Sequence, residues 1–199
     1  MTRYDVAGPV FHTIQGEGAL IGHPMIFIRM AGCSIGCPHC DTNYKWTAQK
    51  SIEELDQEVG AFIRPEHPRP WVWITGGEPT DQDLGPLIDV LAWRCQVAVA
   101  TSGHRRIPQT WPIQWLSVSP HDPRAWVQRS GSEVKIIPGL NGFTLGDFEA
   151  GALASTFQHR FVSPLMPTTR AMAEECQRWI LLHPGWRLTT QAHKAWKLP

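Results

Sequence analysis

Three of the five cysteines in this 199-residue chain, Cys33, Cys37 and Cys40, fall within eight residues. They sit in the run Ala31-Gly32-Cys33-Ser34-Ile35-Gly36-Cys37-Pro38-His39-Cys40-Asp41-Thr42. A hydrophobic core has no use for three thiols in a loop broken by glycine and proline. Something that binds several thiolates at once accounts for the clustering. Three ligands from one short loop suit a metal or cluster that keeps one coordination position open, and that position is where chemistry is expected. The C-x3-C-x2-C spacing alone also admits a zinc site, with His39, His23 or Cys95 as fourth ligand.

The elements that position this loop are legible in outline. Pro24 to Met30 reads as a strand leading into the cysteines, and Trp71 to Thr75 as a buried strand ending in Gly76-Gly77-Glu78-Pro79. Further strands are expected at Gln96–Ala100, Trp115–Ser119, Glu133–Ile137, Arg160–Val162 and Trp186–Thr190. Between them lie helical patterns. Ser51 to Ile63 carries a capping-box pair, Ser51 and Glu54, with Ile52, Leu55, Val59 and Phe62 on one face. Asp81–Trp93, Asp147–Ser155 and Thr169–Leu182 read likewise, before a polar tail. Strands alternating with helices argue for a parallel sheet of βα units. Six or seven strands are too few for an eight-fold barrel of about 250 residues. The expectation is α/β: a partial, shortened (β/α) barrel of mostly parallel strands, in one domain over residues 1–199 with no linker or repeat.

Composition narrows the function classes. The 18 basic and 18 acidic residues cancel, so there is no electrostatic footprint for nucleic acid. No apolar run approaches the roughly 18 residues of a membrane span. The N-terminus lacks a signal core, and bunched cysteines make a poor disulfide framework. A cytoplasmic protein without nucleic-acid or membrane partners is expected. Most of the ten tryptophans are expected in a core or an interface.

The cysteine spacing resembles that of radical S-adenosylmethionine enzymes. In that superfamily a [4Fe-4S] cluster held by three thiolates leaves one iron free to chelate the amino and carboxylate groups of S-adenosylmethionine, and an electron from the cluster cleaves the sulfonium to a 5′-deoxyadenosyl radical. Gly76-Gly77-Glu78-Pro79 is by itself an ordinary strand-closing turn; some 40 residues after the cysteines it matches a second mark of the superfamily. Phe11-His12-Thr13-Ile14-Gln15-Gly16-Glu17-Gly18, Phe27-Ile28-Arg29-Met30-Ala31-Gly32-Cys33 and Cys40-Asp41-Thr42 are similar to 7-carboxy-7-deazaguanine synthase. The match is dense over roughly the first 80 residues and thinner but collinear beyond.

The resemblance implies a lyase of queuosine and 7-deazapurine biosynthesis. It would convert 6-carboxy-5,6,7,8-tetrahydropterin to 7-carboxy-7-deazaguanine with loss of ammonia. It also implies a homodimer, magnesium as a further cofactor, and a reducing electron donor such as flavodoxin or ferredoxin. Carried onto this sequence, it gives Cys33, Cys37 and Cys40 the cluster. His39, Asp41, Gly77, Ser119, Pro120, His121, Ser163, Pro164, Leu165 and Met166 fall at cofactor positions, and Thr42 at the magnesium position. Thr42 offers a hard oxygen, though it also reads as a cap after Asp41. Ile14, Gln15, Gly16, Glu17, Arg29, Thr75, His193 and Pro199 fall at substrate positions. Arg29 would hold the pterin carboxylate through its guanidinium, and Glu17 would accept from the guanine-like edge. Gly16-Glu17-Gly18 also reads as a plain turn. Pro199 would bring its terminal carboxylate onto the substrate, with His193 nearby.

Two stretches depart from the family pattern. Ala100-Thr101-Ser102-Gly103 lacks the carboxylate of the frequent Glu-Thr-Asn-Gly, and Ser119-Pro120-His121 lacks the lysine of Ser-Pro-Lys. Lys135 either compensates or lies on the surface. Other readings of the cysteine loop are a radical activase acting on a partner-protein glycine, and a zinc-stapled binding module without turnover.

Overall fold

The computed structural model describes residues 2–38, 40 and 42–198. The chain begins with strands β1 (Arg3–Val6), β2 (Phe11–Ile14), β3 (Pro24–Met30) and β4 (Ala48–Ser51), followed by helix α1 (Ile52–Gly60). Then come β5 (Trp71–Gly76), α2 (Gly85–Leu91), β6 (Gln96–Thr101), β7 (Trp115–Val118) and β8 (Ser130–Ile136). The last third comprises α3 (Leu145–Leu153), β9 (Thr156–Val162), α4 (Arg170–Leu182), β10 (Trp186–Leu188) and α5 (Ala192–Trp196).

Among the described residues ten strands form one sheet in the order β10-β9-β8-β7-β6-β5-β3-β1-β4, with β2 also on β3. Every pair from β3 to β10 is parallel, and β1, β2 and β4 pair antiparallel. The seven parallel strands are those expected from the sequence. The three antiparallel ones were not expected: each has four residues, too few for alternation to stand out, and they exist through pairing with β3 or with each other. The predicted helix from Asp81 is also corrected. Pro79–Asp81 is a 3-10 turn, and the α-helix starts only at Gly85, where Pro86 needs no N–H partner and Asp83 accepts from the Gly85 N–H at 3.1 Å. The polar tail, to which the sequence reading assigned no element, contains α5.

The sheet is curled. The loop after β2 crosses to the far strands, where Gly18 N–H donates to Thr189 Oγ1 at 2.9 Å and Ala19 N–H to Glu133 Oε2 at 2.9 Å. Ala192 N–H reaches back to the Gly16 carbonyl at 3.0 Å. The mixed α/β fold is thus a partial barrel whose gap is spanned by a loop rather than a strand.

Alternation sorts side chains to the two faces. Val72 and Ile74 of β5 pack outward with Ile26, Ile28, Leu55, Val59 and the apolar face of α2. A second outer core joins Val134 and Ile136 of β8 to Phe148 of α3 and Trp179 of α4. Inside the curl, Met25, Trp73 and Ala98 form a small apolar floor with Phe27, Trp71 and Trp115 packed on it. Helix α1 has the capping box read from the sequence, with Ser51 Oγ accepting from Glu54 N–H and Glu54 Oε2 from Ser51 N–H. The tryptophans divide: Trp73, Trp126, Trp179 and Trp186 are buried, whereas Trp46, Trp93 and Trp196 are exposed on this chain. Among the described residues no helix is long and apolar enough to cross a membrane.

Candidate active site

The cysteine loop leaves the C-terminal end of β3, where parallel sheets of this kind carry their ligands. It is held on both sides. Gly77 N–H donates to the Met30 carbonyl and Glu78 N–H to the Gly32 carbonyl, each at 3.0 Å. Ser34 donates its N–H and hydroxyl to the Asp81 carboxylate at 2.7 and 2.8 Å. The glycine pair is required by this contact. A Cβ on Gly77 would overlap the Gly32 carbonyl oxygen, and one on Gly76, at φ +130°, would overlap that of Met30. Glu78 is 1% exposed and lies at the wall of the cavity that the cysteines line. It accepts from the N–H and hydroxyl of both Thr80 and Ser102 and from the Thr101 hydroxyl, tying β5 to β6.

Cys33, Cys37 and Cys40 are free thiols lining one cavity, together with Gly77, Ser119, His121 and Leu165. Among the described residues no three His, Cys, Asp or Glu side chains close into a cage for a single ion. Burial pushes the Cys37 thiol up, and the neighbouring Cys33 and Cys40 push it further, against a hydrogen bond from Asn141. Three thiolates crowded at one mouth repel each other and are relieved by a shared positive centre, so the donor set fits a cluster. Pro120, Ser163, Pro164 and Met166 do not line the cavity; the buried Ser163 hydroxyl has no hydrogen-bond partner among the described residues. His39, Asp41 and Pro199 lie outside the described residues.

A second cavity of ≈ 460 Å³ adjoins the first and is lined by Ile14, Gln15, Gly16, Arg29, His193 and the Trp73 floor. This volume is within the range of about 300–1,000 Å³ usual for small-molecule sites. Glu17, Thr42, Thr75, Ala100, Lys135 and Gln191 line both cavities and form the wall between them. The ambiguity over Lys135 is resolved: it is 7% exposed, and its ammonium lies 2.7 Å from Glu17 Oε2. Gln191 Nε2 donates to Glu17 Oε1 at 2.8 Å. Burial alone would raise the Glu17 carboxyl; the Lys135 charge, hydrogen bonds from Lys135 and Gln191, and the His193 charge together hold it below the usual carboxylate range. Arg29 rests its guanidinium 5.0 Å from the Phe11 ring centroid, and its Nε is buried without a partner among the described residues. A half-buried cation with an unused buried donor is set up for an anionic group.

The turn Gly16-Glu17-Gly18 is close-packed. A Cβ on Gly16 would overlap the His193 imidazole, and one on Gly18, at φ +70°, would overlap the Glu133 carboxylate. Gly16→Ala is expected to displace His193 and raise KM at least tenfold with a smaller change in kcat. His193→Gly in the same chain is expected to recover part of that loss, the non-additivity of contacting sites. Steady-state kinetics of the single and double variants check this.

No family model matches the chain. A 7-carboxy-7-deazaguanine synthase of Nitratidesulfovibrio vulgaris is 35% identical, over 96% of this chain and 97% of that protein. One from Synechocystis is 34% identical, over 92% and 88%. This chain belongs to the 7-carboxy-7-deazaguanine synthase family. The crystal structure of QueE from Escherichia coli superimposes with a TM-score of 0.74 at 28% identity, over 96% of this chain and 95% of that one. The chain is therefore an enzyme, a lyase of the radical S-adenosylmethionine kind, and the family resemblance and the mostly parallel α/β fold expected from the sequence are both borne out.

Against that family frame, Gln191 and Asn141 are the positions the sequence reading missed. Gln191 had one available signal, since it lies just beyond the last parallel strand, at the sheet end that carries the site. Asn141 had none: it lies in a Gly-flanked turn whose approach to Cys37 depends on the curl.

Proposed function

We propose that this enzyme contracts 6-carboxy-5,6,7,8-tetrahydropterin to 7-carboxy-7-deazaguanine with loss of ammonia, in queuosine or other 7-deazapurine biosynthesis. The observation that carries the reading is the shared wall. Six residues separate a thiol-lined cavity from a small-molecule pocket, so a radical made in one is next to a substrate in the other. In this reading Cys33, Cys37 and Cys40 would hold the [4Fe-4S] cluster, and Gly77, Ser119, His121 and Leu165 would bind S-adenosylmethionine. Bound together, cluster and cofactor supply the hydrogen-abstracting radical. The protein's own part is binding and orientation. Arg29 receives the substrate carboxylate. Glu17, kept ionised by Lys135, has lone pairs left for the N–H groups of the guanine-like edge. Gln15, 5% exposed, accepts from Glu17 N–H at 3.1 Å and holds that turn in place. His193 closes the pocket against Gly16. Thr42, in the shared wall, would offer its hydroxyl as a hard oxygen ligand to magnesium. The chain acts as one domain, with one sheet running through it, as a cytoplasmic homodimer reduced by a flavodoxin or ferredoxin.

The test is anaerobic turnover of the reconstituted enzyme with S-adenosylmethionine, reductant, magnesium and 6-carboxytetrahydropterin, with mass-spectrometric detection. Both 7-carboxy-7-deazaguanine and 5′-deoxyadenosine are expected, and magnesium removal should lower the rate. Deoxyadenosine without the deazapurine overturns the substrate assignment. Neither product, from protein with four iron and four sulfide per cluster, overturns the reaction.

A further inference from the structure

The three cluster thiols are not equivalent. Among the described residues Cys37 alone of the three has two side-chain nitrogens at its sulfur: His121 Nδ1 at 3.1 Å and Asn141 Nδ2 at 3.4 Å. Among the described residues neither Cys33 nor Cys40 has a side-chain nitrogen bonded to its sulfur; Cys40 Sγ meets only the Thr42 carbonyl, at 3.7 Å. The Asn141 amide also donates to the His121 carbonyl at 3.1 Å. A carbonyl only accepts, so this second bond fixes which end of the amide faces the pair, and the nitrogen end is the one on the sulfur.

The turn that supplies Asn141 is built for this placement. Asn141 has φ +54°, between Gly139 at φ +83° and Gly142 at φ +79°. Asparagine is among the few residues that adopt left-handed backbone at low cost. His121, in turn, stands where the family frequently has lysine, a longer cation without a ring N–H.

We propose that Asn141 and His121 form a two-donor clamp that sets the reduction potential of the cluster through the Cys37 sulfur. The inference rests on the reading that Cys33, Cys37 and Cys40 hold a [4Fe-4S] cluster. Once Cys37 is a thiolate it is an acceptor only, so both nitrogens present N–H to it. Reduction adds negative charge to the cluster and its sulfurs. Donors aimed at a sulfur stabilise the reduced form more than the oxidised form and raise the potential. Removing a donor lowers it. These are positioning and tuning residues, and neither need touch the substrate.

Asn141→Gly removes the amide while keeping the left-handed backbone, and His121→Phe keeps ring volume without a donor. Each holoenzyme is titrated potentiometrically, with the reduced cluster followed by electron paramagnetic resonance, after iron and sulfide analysis. With four iron and four sulfide per chain, each variant is expected to show a reduction equilibrium about tenfold less favourable than wild type, about 59 mV for a one-electron couple. An unchanged potential in both fully loaded variants overturns the clamp. Should a variant lose its cluster, wild-type enzyme labelled with 15N-asparagine decides. A weak 15N hyperfine coupling to the reduced cluster is expected, and its absence overturns the Asn141 contact. Failure of the wild type to hold iron and sulfide would instead overturn the cluster assignment.

Discussion

Lys135→Met is expected to abolish measurable turnover and to cost about 3–5 kcal/mol of stability, the usual loss when one member of a buried ion pair is removed. Lys135 and Glu17 side chains are 8% and 13% exposed, so solvent screens the pair little. Without the ammonium, only the Gln191 amide and the His193 charge are left to oppose burial, and the Glu17 carboxyl is pushed up towards its protonated form. A protonated Glu17 presents a donor where the pterin edge needs an acceptor. The pH dependence follows in sign. Glu17 is held below its ordinary value of 4.5 in the folded enzyme, so the pair's stabilisation is complete above that pH and is lost as pH falls through the lowered value. Denaturant titrations of wild type and variant should therefore differ most at neutral pH and converge in acid. Glu17→Gln combined with Lys135→Met should recover stability but not turnover. A loss below about 1 kcal/mol, with kinetics intact, would mean that the pair is not the hub of the shared wall.

Gly77→Ala is expected to strip the cluster. Its Cβ would collide with the Gly32 carbonyl oxygen, backbone against backbone, with no flexible side chain to move aside. Either the turn or the cysteine loop must shift, costing about 1–3 kcal/mol as an overpacking change and losing the two 3.0 Å bonds between them. Iron content is expected to fall at least fivefold while far-ultraviolet circular dichroism stays near native. Gly146→Ala serves as the control. That glycine has ordinary φ, and its Cβ would meet only Thr144 Oγ1 at 3.7 Å, so full cluster content is expected. Four iron per chain in Gly77→Ala would show that the cysteine loop does not depend on the glycine turn.

Both predictions concern groups whose meaning changes between sequence and structure. Gly76-Gly77 reads in the sequence as a strand-closing turn with Gly77 at a cofactor position; in the fold it is what lets the turn seat against Gly32. Lys135 reads as either a compensating charge or a surface lysine, and only its neighbours decide. The dispersed strand-end motifs divide as well. Ser119, His121 and Leu165 reach the cavity wall, whereas Pro120, Ser163, Pro164 and Met166 do not line it. Consecutive residues leaving a strand point to different sides, so a motif transferred as a block carries its neighbours with it.

What the sequence determined by itself was whatever depends on near neighbours. The cysteine spacing, the Ser51–Glu54 cap, the seven apolar strand runs and the glycine turns are each set within a few residues by sterics, capping and periodicity. Tertiary structure alone decided the contacts that couple distant segments. Glu17 meets Lys135 across 118 positions and Gln191 across 174, and Asn141 meets Cys37 across 104. Local propensity does not encode these separations. They follow from the strand order, from the short antiparallel strands at β3 and from the curl that carries the Gln15–Leu20 loop across the open side of the sheet. The chemistry was therefore readable in one loop, and the wall that aims it existed only once the sheet had bent.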